Sequence, residues 1–206
     1  MARLPDVLGS LDPAAQKVYE RIAAKRGKIR GPYVPLMHHP ALAERVADLG
    51  EYLRFDATLP GDMRELAILI TARHVAQPFE WVMHAPVAKK EGLPDDIVER
   101  IRARGDLASL PARYVRAARV VQHVLQRESV PSLLQDEIQQ EVGVSGLVEL
   151  VVLAGYYQTI AAVLFAFDVP LPEGTPAPAP DVLTRMRAPR LPAPAQIGRA
   201  SCRERV

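Results

Sequence analysis

Apolar residues recur at spacings of three and four along most of the chain, and the alternation of a half-buried strand is hard to find. The pattern predicts an all-α protein. Asp12-Pro13 offers an N-cap and an N1 proline for a first helix running to about Lys25. The segment "GKIRGPYVPLMHHP" (27–40) carries three prolines and reads as a loop. Pro40 can open a second helix, "ALAERVADLGEYLRF", in which Leu42, Val46, Leu49 and Leu53 form one apolar stripe. A third helix starts near Gly61 or Asp62 and sets Leu66, Leu69, Ile70 and His74 on one face, with Arg73 beside it. Pro78 ends or kinks that helix and opens a fourth over 79–91, which Gly92 stops. "LPDDIVERIRAR" predicts a short helix whose acidic first turn suits the macrodipole, and "PARYVRAARVVQHVLQRE" a long one. "PSLLQDEIQQEVG" and "SGLVELVVLAGYYQTIAAVLFAF" finish the body, with Ser132 and Ser145 as caps.

At Val169 the texture changes. Residues 169–206 are rich in Pro, Ala and Arg, cannot build a core, and read as an extended, disordered tail. The chain thus divides into an N-terminal helix and lead-in (1–31), a helical domain (32–168) and the tail. The final "GRASCRERV" does not resemble the body in composition. A read-through or cloning-derived end is one reading of it, and Cys202 is given no mechanistic weight. As the only cysteine, Cys202 excludes an internal disulfide or a CxxC pair. The formal net charge is +2, but the tail holds six arginines against three acids, so the body is near neutral. Without basic residues interleaved with stacking aromatics, no nucleic-acid partner is expected. The stretch 147–167 is apolar enough to suggest a membrane span. Glu149 and Gln158 interrupt it and no basic flanks bracket it, so a buried central helix is expected, with no membrane partner. The N-terminus shows no apolar run of signal-peptide type, and the expected location is cytoplasmic.

Candidate chemistry gathers in "PFEWVMHAP" (78–86), which holds the single tryptophan. On a helix Glu80 and His84 are four apart and share a face, and Trp81 and His84 are three apart. A carboxylate beside an imidazole orients the ring and makes a proton-transfer pair, while Trp81 would exclude water. Antiparallel helices hinged at Pro78 would bring Glu65 into the same pocket; His74 lies on that preceding helix too. Spacing alone leaves a plainer reading open, because a Glu-x-x-x-His pair is more often a solvated ion pair than a dyad. Trp81 is more often core than pocket, and His74 more often a satisfied core histidine than a ligand. His38 and His39, in a proline-bounded loop, read as surface or interface. Glu65, His74, Glu80 and His84 are all metal-ligand types, yet no HExxH or Cys/His spacing is present, so neither metal nor cofactor is expected.

The stretches "RELAIL" (64–69), "FEWVMHAPVAKKEGLPDDIVERI" (79–101) and "LVELVVLAGYYQTIAAVLFAFDVPLP" (147–172), with the lead-in "YVPLMHHPALAERVADLGEYLRF", resemble the carboxymuconolactone decarboxylase-like family. That family includes the alkyl-hydroperoxidase D-like proteins. The resemblance covers roughly residues 32–172. It implies an alkyl-hydroperoxidase D-like helical bundle and a homo-oligomer, trimer or hexamer. The peroxidase branch uses a glutamate, a cysteine twelve positions on, a second cysteine three later and a histidine four after that. In this chain the same frame starts at Glu65 and falls on Gln77, Glu80 and His84. Both cysteines are replaced, so a peroxidase or antioxidant label carried over from the family lacks the sulfurs it needs. The non-redox branch remains. It implies a lyase that decarboxylates a small carboxylated lactone or enol by acid/base chemistry without a cofactor. In that reading Glu65, Glu80 and His84 are catalytic: His84 donates the proton, Glu80 orients it and Glu65 is a second acid/base group. Trp81, Arg73, His74 and Gln77 would meet the small-molecule substrate, with Arg73 or Arg64 holding its carboxylate. Hydrolysis or isomerisation in the same pocket, and a non-catalytic ligand-binding oligomer, stay open as alternatives.

Overall fold

A computed structural model describes residues 4–175; the tail from 176 onward, Cys202 and "GRASCRERV" included, lies outside the described residues. Among the described residues the chain is helical and has no strand. Its elements are α1 (Pro13–Arg26), α2 (Tyr33–Leu36), α3 (Pro40–Glu51), a π-helical turn (Tyr52–Asp56), α4 (Gly61–His74), α5 (Pro78–Lys90), α6 (Asp95–Arg102), α7 (Ala112–Gln126) and α8 (Ser132–Ala166).

Local chemistry places most boundaries. The Asp12 carboxylate accepts from the Ala14 and Ala15 amides and caps α1. Inside the expected 27–40 loop the chain makes the single turn α2, and His39 Nδ1 then caps α3 at the Leu42 amide. Gln77 Oε1 accepts from the Phe79 amide ahead of Pro78, giving α5 a capped start. Gly92, at φ +89°, ends α5 as a left-handed residue. Ser132 is the first residue of α8 rather than its cap, and Pro131 precedes it. Gly143 (φ 70°, ψ 176°) breaks α8 where two separate helices were expected.

α4 is the central helix. Ten of its fourteen residues are buried, and it packs against α5, α7 and α8. The main core runs through α4–α8 around fully buried Leu66, Leu69, Ile97, Ile138 and Leu150. Truncating one of these, as in Leu66→Ala, costs about 2–5 kcal/mol. The C-terminal half of α8 joins this core through Leu150, Leu153, Tyr157 and Leu164, as expected of a buried central helix. Val169 and Leu171 also pack against it, so the chain stays with the body past residue 168. A smaller cluster ties α1, α2 and α3 together through Ile22, Ile29, Tyr33, Met37 and Ala47.

One predicted face is displaced. On α3 the inward residues are Ala43, Ala47 and Gly50, while Leu42 and Leu49 are exposed and Val46 is half-buried. The period was right and the phase off by one residue. The cause is close approach: a Cβ on Gly50 would lie 2.1 Å from the Tyr156 hydroxyl, so only small residues fit inside. Of the predicted stripe, Leu53 alone is fully buried.

Candidate active site

The reversal at residues 75–77, with Ala76 at φ 53°, lays α5 against α4. It brings Glu65 of α4 to His84 of α5, with Oε2 2.8 Å from Nδ1. Both are buried. A Glu65 carboxylate accepts from Nδ1–H, so the other ring nitrogen, Nε2, is the one turned toward Glu80 and Tyr157. Glu80, one turn earlier on α5, has Oε2 3.5 Å from that Nε2. The hydroxyl of Tyr157 from α8 lies 3.1 Å from the same atom, its ring edge-on to the imidazole.

Glu80, His84 and Tyr157 face a cavity of about 350 Å³, walled further by Phe79, Met83 and Ile160. Tyr33 and Tyr156 stand on its other side. The Tyr156 hydroxyl donates to the Val46 carbonyl at 3.1 Å, so at 3.0 Å it must accept from Tyr33. This bond links the α1–α3 cluster to α8 beside the cavity. Five cations, Lys25, Arg26, Lys28, Arg30 and Arg54, complete the lining. Arg54 and Phe55 reach it from the π turn, where one extra residue per turn redirects side chains. Lys25 is paired with Glu51, and Arg26 lies over the Tyr33 ring.

Burial pushes the Glu80 carboxyl above its ordinary range, against the opposing pull of His84 and Arg54. Burial also holds the phenols of Tyr156 and Tyr157 well above theirs, so both keep their protons. The cavity therefore offers a carboxyl biased toward its protonated form, a neutral phenol and an imidazole, under a positively charged rim.

The expected roles of the two glutamates are exchanged. Glu65, not Glu80, orients His84; Glu80 faces the open space. Four expected substrate contacts fall elsewhere. Trp81 belongs to the main core and is not among the cavity residues, because its position on α5 points it between helices. Gln77 is used up as the cap of α5. Arg73 and His74, at the far end of α4, line a separate hollow with Ile70 and Arg104, and the Arg73 Nε donates to the Arg102 carbonyl. His74 is exposed rather than core; the partial desolvation of its ring in the hollow and the nearby Arg104 charge lower its pKa. Arg64 is bonded to Glu91 at 3.0 Å. Residues the sequence reading missed are Tyr157, Tyr156, Tyr33, Arg54 and the basic "KRGKIR" run (25–30). Two adjacent tyrosines in an otherwise apolar helix, and four cations in six residues, were the available signals.

Among the described residues no three His, Cys, Asp or Glu side chains are arranged to hold a metal ion. Comparison with sequence-family models, with curated proteins and with solved structures gives no match.

Proposed function

We propose that the chain is a carboxymuconolactone decarboxylase-like protein of the non-redox kind, using acid/base chemistry on a small carboxylated lactone or enol. One observation carries this: the Glu65–His84 pair, with protonatable Glu80 beside it, opens onto a cavity ringed by five cations. A purely structural clamp would seal Glu80 and His84 between helices. The cations suit a substrate carboxylate, and Arg54 is the nearest of them electrostatically to Glu80. Scission of the bond to that carboxylate releases CO2 and leaves its electron pair on a conjugated carbonyl as an enolate. The Glu80–His84 pair then supplies one proton to carbon, and water restores it. Glu65 holds the imidazole in register throughout. Thiol peroxidase chemistry has no support, since Gln77 and Glu80 occupy the two sulfur positions of that frame.

The proposal extends to a homo-oligomer, a trimer or hexamer. Leu42 and Leu49 of α3, Tyr52 and Phe55 of the π turn, and Val148 and Val152 of α8 are exposed. Tyr52 donates to Glu149, so the outward positions of the two elements lie side by side. Phe55 belongs to both this face and the cavity, so a second copy seated there would narrow the cavity mouth.

The test is a panel of carboxylated lactones and enols, assayed with CO2 detection. CO2 release that His84→Ala abolishes supports the lyase. Product without CO2 indicates hydrolysis or isomerisation, and saturable binding without turnover indicates a ligand-binding oligomer. Robust peroxide consumption with a dithiol donor would contradict the non-redox assignment.

A further inference from the structure

Arg73 and His74 lie outside the acid/base cavity, in the hollow at the far end of α4. The hollow holds about 350 Å³, and none of its described lining residues belongs to that cavity. Two helix faces and a loop build it. Ile70, Arg73 and His74 fall three and four apart on α4, and Gln122, Leu125 and Gln126 do so on α7. The loop after α6 adds Arg104 and Leu107. Buried Ile70, Ile101 and Leu125 make an apolar floor. Positive charge gathers at one side. Buried Arg73 is fixed by its Nε, which donates to the Arg102 carbonyl at 2.7 Å. Arg104 reaches back to the Arg73 carbonyl at 3.4 Å and lies close enough to His74 to act on its charge. Among the described residues Asp106 is the one acid lining the hollow, and its Oδ1 accepts from the Ala108 amide.

We propose that this hollow is a second ligand site for a small organic carboxylate with a compact apolar body: the carboxylate meets Arg73 and Arg104, and the body lies on Ile70, Ile101 and Leu125. A guanidinium matches a planar carboxylate through two parallel N–H···O bonds, and an apolar floor with a few convergent polar groups is the usual form of a small-molecule site. Two guanidinium groups set over that floor repel each other until an anion joins them. Arg104 makes no ion pair among the described residues. It also stands at φ 54°, a left-handed conformation that glycine adopts with less strain. A cation held there works against stability, which a ligand role explains. The site is independent of the reaction proposed for Glu80 and His84.

The experiment titrates the ¹⁵N-labelled full chain with sodium benzoate to about 10 mM and follows the backbone amides. Benzamide, with the ring and no charge, and acetate, with the charge and no ring, are the controls. Benzoate is expected to give saturable shifts at Gly105, Leu107 and Gln122, with a Kd at least about tenfold below that of either control. Arg104→Gly relieves the left-handed residue and is expected to stay folded, yet to raise the benzoate Kd at Leu107 and Gln122 about tenfold. Arg54→Ala, in the other cavity, is expected to leave those shifts unchanged. No saturation at these amides in wild type overturns the proposal. So does a benzoate Kd matched by benzamide, the mark of an apolar hollow only, or by acetate, the mark of an unspecific anion contact. An unaltered Kd in folded Arg104→Gly overturns it as well, and the wild-type titration decides by itself if the variant fails to fold.

Discussion

Glu65, Glu80 and Glu149 are all buried, and their surroundings give them three different tasks. Glu65 is spent on His84 Nδ1 and has no face to the cavity. Glu80 faces the cavity 3.5 Å from His84 Nε2, and burial raises its pKa. Glu149 accepts four hydrogen bonds, from the Tyr52 hydroxyl, the Thr58 amide and hydroxyl, and the Leu59 amide. Burial alone would raise the Glu149 pKa, but those bonds outweigh it and the net shift is downward. Its stabilisation is therefore complete above the ordinary carboxylate pKa and is lost as pH falls through the lower folded value. Glu149→Gln is expected to cost about 1–3 kcal/mol near neutral pH and to flatten the acid limb of stability, measured by urea unfolding across pH. Glu65→Gln should leave the fold in place and lower kcat by about 10²–10⁴ with little change in KM, since it replaces the charged acceptor on Nδ1 by a neutral amide and removes no cavity wall. Arg54→Ala should instead raise KM about tenfold, the worth of one charge-assisted hydrogen bond. The Glu80–His84 relation was legible because helical spacing puts residues four apart on one face. Tyr157 was not: it lies 73 positions from His84, and no local periodicity reports which α8 residue the packing will bring there.

Elements were more legible than their orientation. Proline and glycine mark the starts of α1, α3 and α5 and the break in α8 by steric rules that tertiary contacts rarely override. The phase of α3 went the other way. Four large apolar residues in a stripe look like a core face, yet α3 sits so close to Tyr156 that Ala43, Ala47 and Gly50 turn inward. Gly50→Ala tests this directly. A methyl 2.1 Å from the Tyr156 hydroxyl must displace it from the Val46 carbonyl. The expected loss is about 1–3 kcal/mol, seen as a Tm lower by several degrees; an unchanged Tm would mean that α3 can shift freely. The π turn had no sequence signal. It carries Arg54 and Phe55 to the cavity, so the most informative cation was hidden by the least predictable element.

At the scale of the whole molecule, the cavity lies where the α1–α3 cluster meets the α4–α8 core. Glu80, His84 and Tyr157 come from the core helices, and all the cations but Arg54 come from α1 and the loop after it. Binding of a carboxylate should therefore weaken as salt rises, while the proton-transfer step should not. The exposed apolar face of α3, the π turn and α8 calls for cover. Light scattering is expected to give a trimer or hexamer that Leu49→Lys dissociates; a wild-type monomer at micromolar concentration would contradict it. The most direct measurement of the acid/base site is turnover of the carboxylated lactone and enol panel in D2O. The expected result is one CO2 released and one deuteron fixed at carbon per turnover, both lost in a folded His84→Ala. Equal CO2 and deuterium yields from wild type and His84→Ala would contradict it.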